Sequence, residues 1–285
     1  MKGAIITFLF AFLLVPSIAP ADEAAKPEKP AATPQTPAAE AKAPAVEAKA
    51  QEPKPVDIPF EVGQDRVITT STSQTLPKGI LSFSDYEIAL LQLSYGITDD
   101  LQFSVLATVP IVQFALMPSI KWRFFHNERI HLALTGYVGG VILYAVDGYG
   151  GYLAGLTLSM DTCMDKKCSS IFTINSQGGY GWDSQSISGG AGALAFNTGF
   201  IVRLAGSLKL LIELNYAMSP KIDHSTLQAL NLNYGLRIHG KQFAADIAFL
   251  RPLFYVDHGN VQPVGYAFFK YVPLGIPYLA FTYQW

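Results

Sequence analysis

The chain has 285 residues, 20 Lys plus Arg against 22 Asp plus Glu, a net charge of -2, and 50% hydrophobic against 15% charged residues. With no basic surplus to neutralise phosphates a nucleic-acid binder is excluded; 12% aromatics exclude collagen-like and wholly disordered classes, and two Cys are too few for a disulfide-built scaffold. Mean hydropathy is +0.25, yet the one helix-like apolar run, residues 4-15, is shorter than the roughly 20 residues of a spanning helix, so this Gly- and Tyr-rich composition is that of a transmembrane β-barrel.

In chain order, Lys2, the apolar run Ala4 to Val15 and the small-x-small site Ala19-Pro20-Ala21 read as a secretory signal peptide over 1-21. No Cys lies near the cleavage site, so lipidation of the new N-terminus is not expected. Residues 22-57 hold seven Pro, eleven Ala, five Lys and seven acidic residues and no aromatic. Such a segment cannot bury enough surface to offset the entropy of ordering, and a disordered periplasmic linker is expected. As extended polyproline II it reaches roughly 110 Å at most. A plain spacer is one reading; the other is a tether to the cell wall or a periplasmic partner. The tract resembles the Pro-Lys and Pro-Glu spacers of periplasm-spanning proteins.

Residues 58-285 form the third region, the barrel. From about residue 75 the pattern has period two. Leu101, Phe103, Val105, Ala107 and Val109 alternate with Gln102, Ser104, Leu106 and Thr108; Ile120, Trp122 and Phe124 alternate with Ser119, Lys121 and Arg123. The same holds for Leu208 to Met218 and for Leu230 to Ile238. Strict alternation means a sheet with one apolar and one polar face. The polar faces carry small residues, which suit a crowded barrel interior, while the large apolar residues suit lipid. Short turns fall near Thr98-Asp99-Asp100, His126-Asn127-Glu128, Met164 to Lys167, Ala205-Gly206-Ser207 and His239-Gly240-Lys241. Longer links fall near 85-87, 111-114, 143-151, 180-191, 219-226 and 254-263. Five short turns and six longer links predict an all-β, closed antiparallel barrel of 12 strands, with ten or fourteen as alternatives.

The last strand alternates Leu279, Phe281, Tyr283 and Trp285 with Ala280, Thr282 and Gln284, and the chain ends on the aromatic. This resembles the terminal strand of bacterial outer-membrane β-barrel proteins, with Trp285 where that family usually ends in Phe. The stretch Tyr95 to Leu101 is similar to a hairpin of porin-like barrels. The resemblance implies that Phe281, Tyr283 and Trp285 are an assembly signal read by the barrel-assembly machinery. It also implies a place in the bacterial outer membrane, among its lipids, with the N-terminal segment in the periplasm.

No hydrolase, metalloprotease or phosphate-loop motif is present. Gly190-x-Gly192-x-x-Ala195 matches a dinucleotide fingerprint by letters only, lacking the strand before and helix after. Ser225 with His224, His258 and Asp257 is the only arrangement open to an outer-membrane lipid hydrolase, and adjacent strand residues face opposite ways. Asp147, Asp183 and Asp257 show no calcium-ligand spacing. No catalytic residue, cofactor or metal is therefore expected. Cys163 and Cys168 flank a tight turn in an oxidising compartment and are expected to form a disulfide; two thiolates without a nearby His make only half a metal site. By alternation Lys121, Arg123, His131, Arg203, Lys209 and Arg237 face the lumen, as do Asp161, Glu213 and Asp246. Asn197, Asn215, Asn231 and Asn233 extend the polar lining. These charges either pair with one another as filler or line a pore, and rings of Arg and Lys select anions. The leading expectation is a channel for small hydrophilic solutes, weakly anion-preferring. The alternative is a non-conducting structural or tethering barrel, and an outer-membrane lipid hydrolase comes third.

Overall fold

A computed structural model of the protein describes residues 60-87, 90-108, 113-143, 149-183, 190-222, 225-257, 260-262 and 274-285. The signal peptide and the 22-57 linker lie outside these, as do parts of the links near 111-114, 143-151, 180-191, 219-226 and 254-263.

Period-two alternation becomes strand throughout. In chain order the strands are β1 Leu81–Tyr86, β2 Leu90–Thr98, β3 Leu101–Thr108, β4 Gln113–His126, β5 Ile130–Leu143, β6 Tyr149–Cys163 and β7 Ile171–Asp183. They continue with β8 Gly190–Ala205, β9 Leu208–Ile222, β10 Ser225–His239, β11 Phe243–Asp257, β12 Asn260–Gln262 and β13 Ile276–Gln284. Each strand from β1 to β11 pairs antiparallel with the next. The three-residue β12 adds only to β11, while β13 pairs with β11 on one side and with β1 on the other. The sheet therefore closes into a barrel of 12 strands, and the ten- and fourteen-strand alternatives are set aside.

The outer face is apolar. Ile120, Trp122, Phe124, Leu156, Leu158, Leu236, Ile238 and Ile247 are all exposed. Their paired neighbours Lys121, Thr157, Arg237 and Asp246 are buried on the inner face. Tyr283 packs near Trp285 at the short-turn end, and Tyr152 and Tyr180 pack near Trp182 at the other. Aromatic residues near both ends are the girdle arrangement of a barrel spanning a bilayer. Two charged residues, Asp85 and Arg251, stand on the outer face, opposite Phe281 and Leu232 and towards the long-link ends of β1 and β11. Register shifts in β2, β4 and β8, at Gly96/Thr98, Arg123/Phe125 and Arg203/Ala205, all sit beside short turns. Rim bulges of this kind terminate the alternation.

Residues 60-80 carry no period-two pattern and form no barrel strand. They enter the lumen at the short-turn end as a hairpin, with Arg66 bridged to Ser71 and Val67 N–H donating to the Thr70 carbonyl at 2.8 Å. Gly63 begins the entry with φ 77°, a left-handed value suited to glycine. Val67 and Ile68 at the tip join a buried cluster with Cys163, Cys168, Ile171, Ile201 and Leu211. Gly199 makes room for them, because a Cβ there would meet Val67 Cγ2 at 2.7 Å. The barrel thus has an apolar core of its own, supplied in part by the chain that precedes β1.

Candidate functional site

The short-turn end of the lumen is occupied by residues 61-76, and the charged wall residues converge on that segment. Glu213 on β9 is fully buried. Its Oε2 accepts the consecutive N–H groups of Ile68, Thr69 and Thr70 at 3.1, 3.0 and 2.8 Å. Its Oε1 accepts the Thr69 hydroxyl and the amide groups of Asn215 and Asn233, the latter two at 2.6 and 2.8 Å. Removing a carboxylate from water is costly unless donors replace the water. Here successive backbone N–H groups form an anion-binding concavity around the side chain.

Arg237 on β10 faces Asp246 on β11 in direct register. The pair is bidentate, Nε to Oδ1 at 2.6 Å and Nη2 to Oδ2 at 2.8 Å, and both side chains are fully buried. The rest of the guanidinium donates to hairpin carbonyls: Gly63, Arg66 at 3.1 Å and Val67 at 2.7 Å. The planar, five-donor geometry of Arg is what lets one side chain serve a carboxylate and three carbonyls. From the hairpin, Arg66 reaches Asp246 at 3.2 Å and Thr282 at 2.9 Å, and lies 4.7 Å from the Tyr86 ring centroid.

Lys121 on β4 donates to the carbonyls of Asp65, Thr72 and Gln74 at 3.4, 3.0 and 3.1 Å. Asp161 on β6 accepts Ser73 N–H at 2.9 Å and the Gln74 amide at 3.3 Å. Asn175 donates to the Ser71 carbonyl, and Gln102 accepts Leu76 N–H at 2.9 Å. At the mouth, Glu61 bridges Arg203 on β8 and Lys209 on β9. Of the seven charged wall residues above, only Arg237 and Asp246 pair with each other; the rest hold the hairpin, mainly by its backbone. Arg123 is at the rim, bonded to Asp100 at 2.9 Å and to the Asp99 carbonyl at 2.9 Å.

Beyond the hairpin, the inner-wall side chains among the described residues are uncharged. Gln177 donates to the Tyr137 hydroxyl at 2.8 Å, and Asn197 and Asn231 share this face. Gly155 and Gly179 leave the space that Tyr137 fills, since a Cβ on either would meet its hydroxyl at 2.2 or 2.9 Å.

Cys163 and Cys168 are disulfide-bonded across the β6–β7 turn. His131, read from the sequence as a lumen residue, lies buried beside them, its Nε2 3.5 Å from Cys163 Sγ. Phe281 and Tyr283 face outward on β13, and Trp285 exchanges two backbone bonds with Leu81, each 3.1 Å. His224, His258 and Asp147 lie outside the described residues. What sequence reading missed is the partner of the lumen charges. Its signal was indirect: a hydroxyl-rich run, Thr69 to Thr75, next to more inward charges than the wall could pair.

No family model matches the chain, and no curated protein matches it. Among solved structures it is similar to a bacterial polysaccharide outer membrane secretin, at 9% identity and a TM-score of 0.31, over 74% of this chain and 99% of that one. A likeness at that level assigns nothing to this chain.

Proposed function

We propose that the protein is an outer-membrane channel for small hydrophilic solutes, weakly anion-preferring, held shut at its short-turn end by its own residues 61-76. The observation that carries this reading is the convergence of Lys121, Asp161, Arg203, Lys209, Glu213, Arg237 and Asp246 on one chain segment. A wall that must only fill itself pairs its charges with each other. These charges serve a segment that enters and leaves by the same mouth. With the segment withdrawn, four basic and three acidic side chains line that mouth, a balance that favours anions. The apolar exterior with aromatic residues at both ends supports a place in a bilayer, and the short turns are taken to face the periplasm. No catalytic step belongs to this reading.

A second reading, a non-conducting barrel that anchors the Pro-rich segment, is favoured by the strength of the hold. Withdrawal breaks the buried pair between Arg66 of the hairpin and Asp246 of the wall, and removing one partner of a buried pair costs about 3-5 kcal/mol, so the hairpin resists withdrawal.

Planar-bilayer recording under a salt gradient separates the two. The full chain is expected to be nearly silent, and a chain lacking 61-76 to conduct with an anion-favouring reversal potential. Lys121→Gln with Arg203→Gln in that shortened chain should lower the anion preference, and high salt should lower it further by screening. A shortened barrel that folds but passes no current supports the anchor instead.

A further inference from the structure

The cystine at the β6–β7 turn has a third potential ligand that the sequence hides. Strand pairing sets His131 on β5 opposite Asp161 on β6. Cys163 is therefore its diagonal neighbour on the inner face. His131, Cys163 and Cys168 are all buried, and their ligand atoms lie within 4.8 Å of one another. The Nε2–Sγ distance of 3.5 Å matches the N–S edge of a tetrahedral zinc site, which bond lengths near 2.05 and 2.3 Å set at about 3.5 Å. His131 is 2% exposed, its Nδ1 has no hydrogen-bond partner, and its Nε2 faces sulfur. The turn is shaped independently of the S–S bond. Asp165 accepts N–H groups from Lys167, Ser169 and Ser170 at 2.9, 3.1 and 2.6 Å, and Cys168 N–H donates to the Asp165 carbonyl at 3.0 Å. Cys168 is thereby held at φ 52°. With the bond opened, these contacts keep the two sulfurs on the same side, next to His131.

We propose that Cys163, Cys168 and His131 form a binding site for a thiophilic d10 cation, Zn2+ or Cu+, whenever the cystine is reduced. A dithiol reduces it: two electrons and two protons pass to the cystine, giving two thiols and the oxidised dithiol. The cation then replaces both thiol protons, forming two metal–sulfur bonds, and takes the Nε2 lone pair of neutral His131. Water fills the fourth position. The C-x4-C spacing lies within the range of known thiolate sites, and soft thiolates select these ions over Mg2+ or Ca2+. Disulfide and metal are mutually exclusive states of one turn.

The test uses the full refolded chain, treated with dithiothreitol, desalted without oxygen and checked for barrel fold by heat-modifiable gel mobility. Metal content is measured after incubation with Zn2+ and, separately, with Cu+; affinity is measured by competition with a chromophoric chelator. The expected result is one ion per reduced chain and none per oxidised chain. His131→Gln, which leaves both thiols in place, removes a direct ligand and should weaken binding by at least the roughly tenfold that losing an outer-shell partner costs. Which ion is held more tightly identifies the preferred metal. A folded, reduced chain with two titratable thiols and no bound ion overturns the proposal. So does equal affinity in His131→Gln, or a cystine that dithiothreitol cannot open without unfolding the barrel.

Discussion

Glu213 and Asp165 show how far a single carboxylate depends on what surrounds it. Both accept several backbone N–H groups, Glu213 from the lumen hairpin and Asp165 from its own turn. At Asp165, burial pushes the carboxyl up, but the N–H groups of Ser169, Ser170 and Lys167 with the Ser169 hydroxyl outweigh it and hold it below its ordinary value. A folded value below the unfolded one, about 3.9, stabilises the protein above that pH. The contribution is lost as pH falls through the folded value. Asp165→Asn should therefore lower the denaturant midpoint at neutral pH, and the gap to wild type should close in strong acid. A gap that is independent of pH contradicts this. At this scale the sequence showed which way residues point: alternation sets Lys121, Lys209, Glu213 and Arg237 inward. It did not show what they touch, because the contacts are remote. Ile68 and Glu213 are 145 residues apart. His131 and Cys163, 32 apart, meet only through strand register.

Strands and turns were the legible elements, since each follows from local pattern. The short turns read at Asp99, Asn127, Asp165, Gly206 and Gly240 are where the chain reverses. The hairpin of residues 61-76 was not legible. It has neither period, and its stability comes from the wall rather than from itself: a two-stranded hairpin alone is marginal in water. Here Glu213 closes its tip, while Lys121 and Arg237 take up carbonyls on either side. Its fit is written into other elements, in the missing side chain of Gly199 and the apolar Ile171, Ile201 and Leu211. These residues interrupt the polar inner face and form the hairpin's contact surface.

For the molecule as a whole, closure is decisive, because an open sheet edge cannot be satisfied in lipid. The seam joins β1 and β13 over five register pairs, Ser82–Gln284 to Tyr86–Ala280, and is finished by the Leu81–Trp285 bonds. Deleting Tyr283, Gln284 and Trp285 removes the pairs nearest the short-turn end on both sides of β13. We expect the truncated chain to yield no heat-modifiable barrel in membranes; normal amounts of folded barrel would count against that.

The central claim, that the hairpin is the closed gate, is tested most directly by locking it. Thr70 Oγ1 and Asn215 Oδ1 lie 3.0 Å apart. In a Cys163→Ser, Cys168→Ser background, Thr70→Cys with Asn215→Cys places one removable bond between hairpin tip and wall. The measurement is single-channel current before and after reduction. Complete silence is expected while the bond is closed, and the full chain's rare openings once it is reduced. Equal currents in both states would contradict the claim.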